Sequence, residues 1–477
     1  MLVQTSTSEG PSHPEGARAT GALDSSSSAT TIEWTDRDAD HPYNMSSGRK
    51  WIIVIVISFS SLCVTCASSI YSTTYSQIMI EFHTSHELAT LGLSLYIWGM
   101  GVGPLVLGPL SELYGRRVIY LWSLLFFFIW IFPGAFANNI HTLLMGRFLS
   151  GFSGSAFLSV AGGTVGDIFP RNQLAFPMMV YTASPFIGPE IGPLLGGFIN
   201  QYTNWRWTFY ILLCWAATML LLVHLLVPET YQSVLVKRKA QRIREETRSS
   251  EARVPNEKDT SPLWIMILRS IYRPIMLLTL EPMCLSLCIY SALLLGIIYL
   301  FFGAFQLVFE SVYGFQLWQR GLSFTGLLVG MILAILSDPF WRWHYRRLEG
   351  RVLDLTSPDS DSMPEWRLPP AYPSIHWVVP IIGSALFGAG TILAFSGIFT
   401  FLVDAYPKYA ASALAANSFA RSTFGGVFPL FGVQMYNRLG IQWATCLLGF
   451  LTLAMLPFPY IFFRYGAQIR KGSRFSK

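Results

Sequence analysis

The chain has 477 residues, 52% of them hydrophobic and only 13% charged, with a mean hydropathy of +0.43. Soluble domains carry about 25% charged residues, so this composition excludes an ordinary soluble enzyme and indicates an all-α polytopic membrane protein. The net charge of +6 is not a nucleic-acid signal, because the basic residues lie in short loops and tails between apolar runs.

Residues 1–50 contain no cleavable signal sequence, and their serine-rich, polar character predicts a disordered cytosolic tail. Asn44-Met45-Ser46 fits a glycosylation sequon that a cytosolic tail leaves unused. A membrane crossing needs about 20 mainly apolar residues. That length predicts helices over 51–71, 88–110, 118–137, 142–165, 175–199 and 207–227, a six-helix bundle spanning 51–227. Residues 228–273 form a polar linker with Lys237, Arg238, Lys239, Arg242 and Arg244. Within it, 234–248 reads either as a basic amphipathic helix on the inner leaflet or as a solvated linker. A C-terminal bundle, 274–463, follows with helices over 281–302, 321–336, 377–403, 410–436 and 441–463, and then a basic tail, 464–477. All six cysteines fall in apolar segments and read as packing residues. No metal-ligand spacing, nucleotide-binding loop or catalytic triad is present, so neither a cofactor nor an enzyme is expected.

Basic loops orient the chain. Arg116-Arg117, Lys237–Lys239 and Arg346-Arg347 fall on one side if the N-terminus is cytosolic, while the opposite loops near 81–87 and 138–141 carry no Lys or Arg. The count of spans then conflicts with the charge of the tail. Eleven spans place the C-terminus outside, yet Arg464, Arg470, Lys471, Arg474 and Lys477 belong in the cytosol by the same rule. The stretch 340–375 is too charged to cross hydrocarbon.

The run Ser184-Pro-Phe-Ile-Gly-Pro-Glu-Ile-Gly-Pro-Leu-Leu-Gly-Gly197 carries the strongest mechanistic signal. Gly188, Gly192 and Gly196 are four apart and share one face, which lets another helix approach closely. Pro189 and Pro193 should bend the helix, with Gly197 closing the run. Glu190 is the lone acid there, and a carboxylate at membrane depth is expensive enough to mark a functional site. The competing reading is a kinked packing helix. The run resembles the antiporter motif in the fifth helix of drug:proton antiporters of the major facilitator superfamily.

Gly108-Pro-Leu-Ser-Glu-Leu-Tyr-Gly-Arg-Arg117 resembles that superfamily's signature loop, with Glu112 standing where Asp is usual. The resemblance implies a gating latch made of Gly108, Glu112, Gly115, Arg116 and Arg117, joining the cytosolic ends of two halves. A plain topogenic loop is the alternative. Arg147 and its small neighbours resemble the fourth-helix motif, which implies an arginine near the cytosolic end, linked to proton transfer and able to pair with Glu112 or Asp167. A snorkelling arginine is the alternative. Trp205-Arg-Trp207 and Pro228-Glu-Thr230 read as interface anchors and a helix stop. The stretch from Val403 through Asp404 and Asn417 to Arg421 resembles the fungal twelve-span drug:proton antiporters, polyamine exporters included. Asn417 and Arg421 share a face; at that depth Arg421 needs a counter-charge or carbonyls, and Glu281 is the candidate counter-charge. Hydroxyls of 67–72 and the rings of Tyr71, Tyr181, Tyr290 and Tyr299 are candidate cavity linings.

The resemblance implies a major facilitator fold of two six-helix bundles, here missing its ninth span: relatives carry a helix between Trp366–Ala371 and Tyr372–Trp377, which are fused in this chain. It implies a monomeric, proton-coupled exporter of an organic solute, a drug, polyamine or fungal metabolite. The membrane is the plasma membrane by default, or the vacuolar one. A sugar or nutrient facilitator and a non-functional product lacking one helix are the alternatives. Glu190, Arg147, Asn417, Arg421, Tyr71 and Glu281 are the expected proton and substrate pathway.

Overall fold

The computed structural model describes residues 41–170, 173–247, 263–337, 380–406, 409–455 and 457–458. Residues 1–40 of the tail expected over 1–50, the charged stretch 340–375 and the basic C-terminal residues lie outside them; the end of that tail is described, and a helix already begins at Ser47.

The described residues are almost wholly helical. The first crossing is α1 (Ser47–Ser69), a 3-10 turn (Ile70–Thr74) and α2 (Tyr75–Phe82). Next come α3 (His86–Tyr114) and α4 (Arg116–Ala135). The fourth crossing is broken into α5 (Ile140–Gly154), α6 (Ala156–Ser159) and α7 (Ala161–Ile168). Then follow α8 (Ala175–Tyr202), α9 (Arg206–Leu226) and α10 (Gln232–Thr247). The last group is α11 (Leu263–Leu280), α12 (Pro282–Tyr313), α13 (Leu317–Leu322), α14 (325–337), α15 (Pro380–Ala405) and α16 (Ala410–Met455). The linker stretch read two ways from the sequence is helical, as α10.

Nine segments among the described residues are long and apolar enough to cross a membrane. This set does not establish the expected eleven. It omits the proline-rich α8 and takes α16 as one piece, although Gly440 interrupts it at φ 77, ψ 158. Gly115, where α3 gives way to α4, has nearly the same backbone, φ 99 and ψ 158. Both lie in the left-handed half of the map that glycine tolerates and other residues avoid.

The first half packs α8 against α1, α3 against α5 and α4 against α9. The second packs α12 against α16, with α15 beside both. The halves meet where α3 touches α16 and α8 touches α13. Three hydrogen bonds tie them at the end away from Arg116: Gln306 Nε2 to the Ser72 carbonyl (3.0 Å), the Leu317 amide to Gln201 Oε1 (3.1 Å), and Gln434 Nε2 to Glu87 Oε1 (2.9 Å).

Helix directions bear on the conflict between count and charge. Near the Arg116 end Tyr406, just past α15, donates to Glu281, just before α12. Some 18 residues back along α15, Phe387 contacts Phe301, 19 residues along α12. The two helices are therefore antiparallel. Since α13–α14 also return from the far end of α12, α14 and α15 run the same way. The helix α15 thus runs toward the Arg116 end, and α16, which begins there, is interrupted at Gly440.

Candidate functional site

Three prolines, Pro185, Pro189 and Pro193, lie inside α8 without ending it. Proline leaves the carbonyl four residues earlier without its helical donor. For Pro185 that is the Tyr181 carbonyl, and Ser184 Oγ donates to it at 2.8 Å. One face of α8 is then committed to α1. A Cβ at Gly188 would lie 2.9 Å from the Leu62 carbonyl. At Gly192 it would lie 2.7 Å from the Ile70 amide nitrogen and 3.0 Å from the Cys66 carbonyl, and at Gly196 3.0 Å from the Ile70 carbonyl. Thr65, Ser69 and Thr73, also four apart, face the same three glycines. The stripe expected from the spacing is a backbone-to-backbone seam.

The opposite face carries Phe186, Glu190, Pro193 and Gly197 at helical spacing i, i+4, i+7 and i+11. It meets the other half. Phe186 stacks on Phe395 of α15 with centroids 4.7 Å apart. A Cβ at Gly321 of α13 would lie 2.5 Å from the Pro193 carbonyl, and one at Gly197 3.0 Å from the Leu317 carbonyl. Glu190 lies between these two contacts, 1% exposed, and both its oxygens lack a hydrogen-bond partner among the described residues.

Arg421 of α16 is the matching feature on the second half. Its guanidinium carbon lies 5.7, 5.3 and 4.9 Å from the ring centroids of Phe186, Phe395 and Phe399. Its Nε is buried without an acceptor. The expected pairing with Glu281 does not form: Glu281 instead accepts from the Tyr406 hydroxyl at 3.2 Å, at the cytosolic end of α12. Asn417, one turn before Arg421, is fully buried and accepts a hydrogen bond from Ser291 of α12, which keeps it in the packing of the second half.

Arg147 corrects the sequence reading in both place and partners. It stands in the second turn of α5, about 30 Å along the fourth crossing from Asp167. It is therefore far from the end where Arg116 lies. Its guanidinium donates to the carbonyls of Gly92 (3.2 Å), Ala67 (2.7 Å) and Ser68 (3.0 Å) and lies over the rings of Tyr71 and Tyr96. Carbonyl dipoles and ring faces replace a counter-ion there. The Ser68 hydroxyl meets Tyr299 of α12 at 3.0 Å, so this cluster reaches the second half. Tyr299 also lies within electrostatic range of Glu190, Arg421 and Arg147. The Tyr181 hydroxyl donates to the Phe157 and Leu158 carbonyls of its own half.

In the signature loop, Arg116 Nε pairs with Asp167 at 3.2 Å, and Arg116 also contacts Ser111 and Tyr231. Arg117 donates to the His224 carbonyl, and Glu112 is exposed. These partners lie in the first half and the linker. Sequence reasoning missed Glu229, which it took for part of a helix stop. Its carboxylate accepts from the amides of Arg116 (2.8 Å), Arg117 (3.3 Å), Thr230 (3.1 Å) and Tyr231 (3.0 Å), at the N-terminus of α4. Anions suit that position, where amides are free and the helix dipole is positive. The usable signal was the lone acid just after a span. Trp205 and Arg206 are likewise ties more than anchors: both bind Glu81, and Arg206 also donates to the Ala137 carbonyl. Trp207 is exposed, as an interfacial ring should be.

Apolar crossings in two packed groups, with charged side chains buried along the seam, define a multi-pass helical membrane protein of the two-bundle type. The Major Facilitator Superfamily profile matches residues 57–353, and a curated efflux pump, atB of Aspergillus terreus, is 51% identical over 92% of this chain and 88% of its own. The chain belongs to the Major Facilitator Superfamily. It is also similar to the probable drug/proton antiporter YHK8 of Saccharomyces cerevisiae (40% identity, 91% of this chain, 87% of that protein) and to the multidrug transporter mdrA of Aspergillus fumigatus (36%, 92% and 75%). Among solved structures the proton:xylose symporter XylE aligns with a TM-score of 0.59 at 16% identity, over 88% of this chain and 97% of that one. The peptide transporter POT aligns at 0.56 and 13%, over 88% and 95%. These two likenesses speak for the fold alone.

Proposed function

We propose that this chain is a proton-coupled antiporter that exports a small organic solute by alternating access, with the two bundles rocking about the seam. Relatives whose names read efflux pump and drug/proton antiporter support the direction and the coupling. The observation that carries the mechanism is Glu190, a buried carboxyl without a hydrogen-bond partner among the described residues, on the α8 face turned to the other half. Such a group exchanges a proton or a substrate cation in one step, and its loading biases the access state. Arg147, Tyr71, Asn417 and Arg421 support the pathway, with Glu281 fixing the cytosolic end of α12. The loop of Gly108, Glu112, Gly115, Arg116 and Arg117 acts as the cytosolic latch, disengaged when the opposite end is tied. The protein works as a monomer in the plasma membrane.

Reconstituted vesicles with an imposed pH gradient test this. Wild-type protein should move protons against a transported cation, read by a pH-sensitive dye. Glu190→Gln should abolish the coupled proton flux while the purified protein stays monodisperse. Undiminished coupling in that variant removes Glu190 from the scheme.

A further inference from the structure

Two opposite charges stand on the seam, one from each half, and neither has a counter-ion among the described residues. Glu190, from α8, is buried with both oxygens unpartnered, and Arg421, from α16, is half-buried with its Nε enclosed and unpartnered. Arg421 does not touch Glu190, because its guanidinium is held over the rings of Phe186, Phe395 and Phe399. Phe186 lies one helical turn, about 6 Å, along α8 from Glu190. A bed of aromatic faces therefore borders the cationic pole, and Glu190 follows one turn on along the same face of α8. Tyr299 lies within electrostatic range of both.

Buried charges are costly unless something pairs with them. Arg147 has a carbonyl acceptor at each of its three nitrogens and two tyrosine faces. Glu190 and the Arg421 Nε lack hydrogen-bond partners among the described residues, and no described residue bridges the two.

We propose that Glu190 and Arg421 are the two poles of one substrate site, and that the transported solute is a planar aromatic zwitterion. Its cationic nitrogen pairs with Glu190, its carboxylate with the Arg421 guanidinium, and its ring lies against Phe186, Phe395 and Phe399. This inference deepens the proposed antiport: a substrate cation and a proton compete for the same carboxylate, so binding one displaces the other. A purely anionic solute would instead be repelled by an ionised Glu190 and favoured by its protonation, which couples the two flows in the same direction. The dipolar substrate resolves that conflict, since Arg421 holds the anionic end without competing for the proton.

The test uses three probes built on one ring: 4-(aminomethyl)benzoate, benzylammonium and benzoate. Binding to the purified full-length protein is measured at pH 7 by calorimetry or by displacement. A charge-assisted contact contributes roughly 10- to 100-fold. The dipolar probe should bind at least tenfold tighter than either single-charge probe. Arg421→Gln should remove its advantage over benzylammonium, and Glu190→Gln its advantage over benzoate. Arg421→Lys, which keeps the charge, should retain part of the preference and shows that the site still folds. Equal affinities for the three probes, no binding of the dipolar one at millimolar concentration, or a preference unchanged in Arg421→Gln would each overturn the proposal. Failure of the antiport reading is separate: it appears as dipolar preference without proton exchange, whereas proton exchange without dipolar preference sinks this inference alone.

Discussion

Gly192→Ala is the sharpest test of the α8–α1 seam. The added Cβ would lie 2.7 Å from the Ile70 amide nitrogen and 3.0 Å from the Cys66 carbonyl, both main-chain atoms that no rotamer change can move. Ordinary contact begins at 3.4 Å, so the two helices must part by about 0.7 Å, or bend as much. Overpacking of this kind costs about 1–3 kcal/mol, a 5- to 150-fold fall in the folded-to-unfolded ratio, roughly. Gly108→Ala is the internal control. It lies in a helix as well, but a Cβ there meets nothing within 4 Å, and alanine favours helix by up to about 1 kcal/mol. The assay is thermal unfolding of detergent-solubilised protein followed by tryptophan fluorescence, with the fraction of monodisperse protein as a second readout. Gly192→Ala should unfold at clearly lower temperature and Gly108→Ala at the same temperature or higher. Equal behaviour of the two variants would refute the claim that the glycine stripe exists for backbone approach.

Gly321→Ala should disfavour this conformation, because its Cβ would lie 2.5 Å from the Pro193 carbonyl across the seam; distances between spin labels on α8 and α13 should lengthen, and an unchanged distribution would count against it. Glu229→Gln should destabilise the α3–α4 turn by about 1–2 kcal/mol, since a neutral amide replaces a charge that accepts from the first two amides of α4 and from those of Thr230 and Tyr231; unfolding temperature reads this. Arg147→Lys should lose more than Arg117→Lys, because an ammonium cannot span three carbonyls and two ring faces as the planar fork does; urea or heat unfolding of both variants decides.

Much of this fold was legible because membrane helices announce themselves by apolar length, and the glycines by their spacing of four. The seam partners were not legible, since periodicity names a face without naming what covers it. Thr65, Ser69 and Thr73 share the spacing of the glycines they meet, yet a hydroxyl stripe reads equally well as a cavity wall. Arg147 was misplaced because the reading followed a family motif instead of counting residues from the loop at 138–141, which sets it at the far end. Glu281 was matched to Arg421 by charge alone, while the fold gives it a tyrosine at the helix end. Glu229 went unnoticed because a capping carboxylate acts on amides more than a hundred residues away, which no local pattern can report. The antiparallel course of α12 and α15 could not be read from charge, because the segment preceding α15 carries mixed signs.

The division of labour on α8 has a practical consequence for engineering. Residues at 188, 192 and 196 tolerate almost nothing, whereas 186 and 190, on the other flank of the same rod, can be varied without loosening its anchorage to α1. Combinatorial libraries restricted to 186, 190, 395, 399 and 421 would therefore search chemical selectivity while leaving assembly of the first bundle untouched.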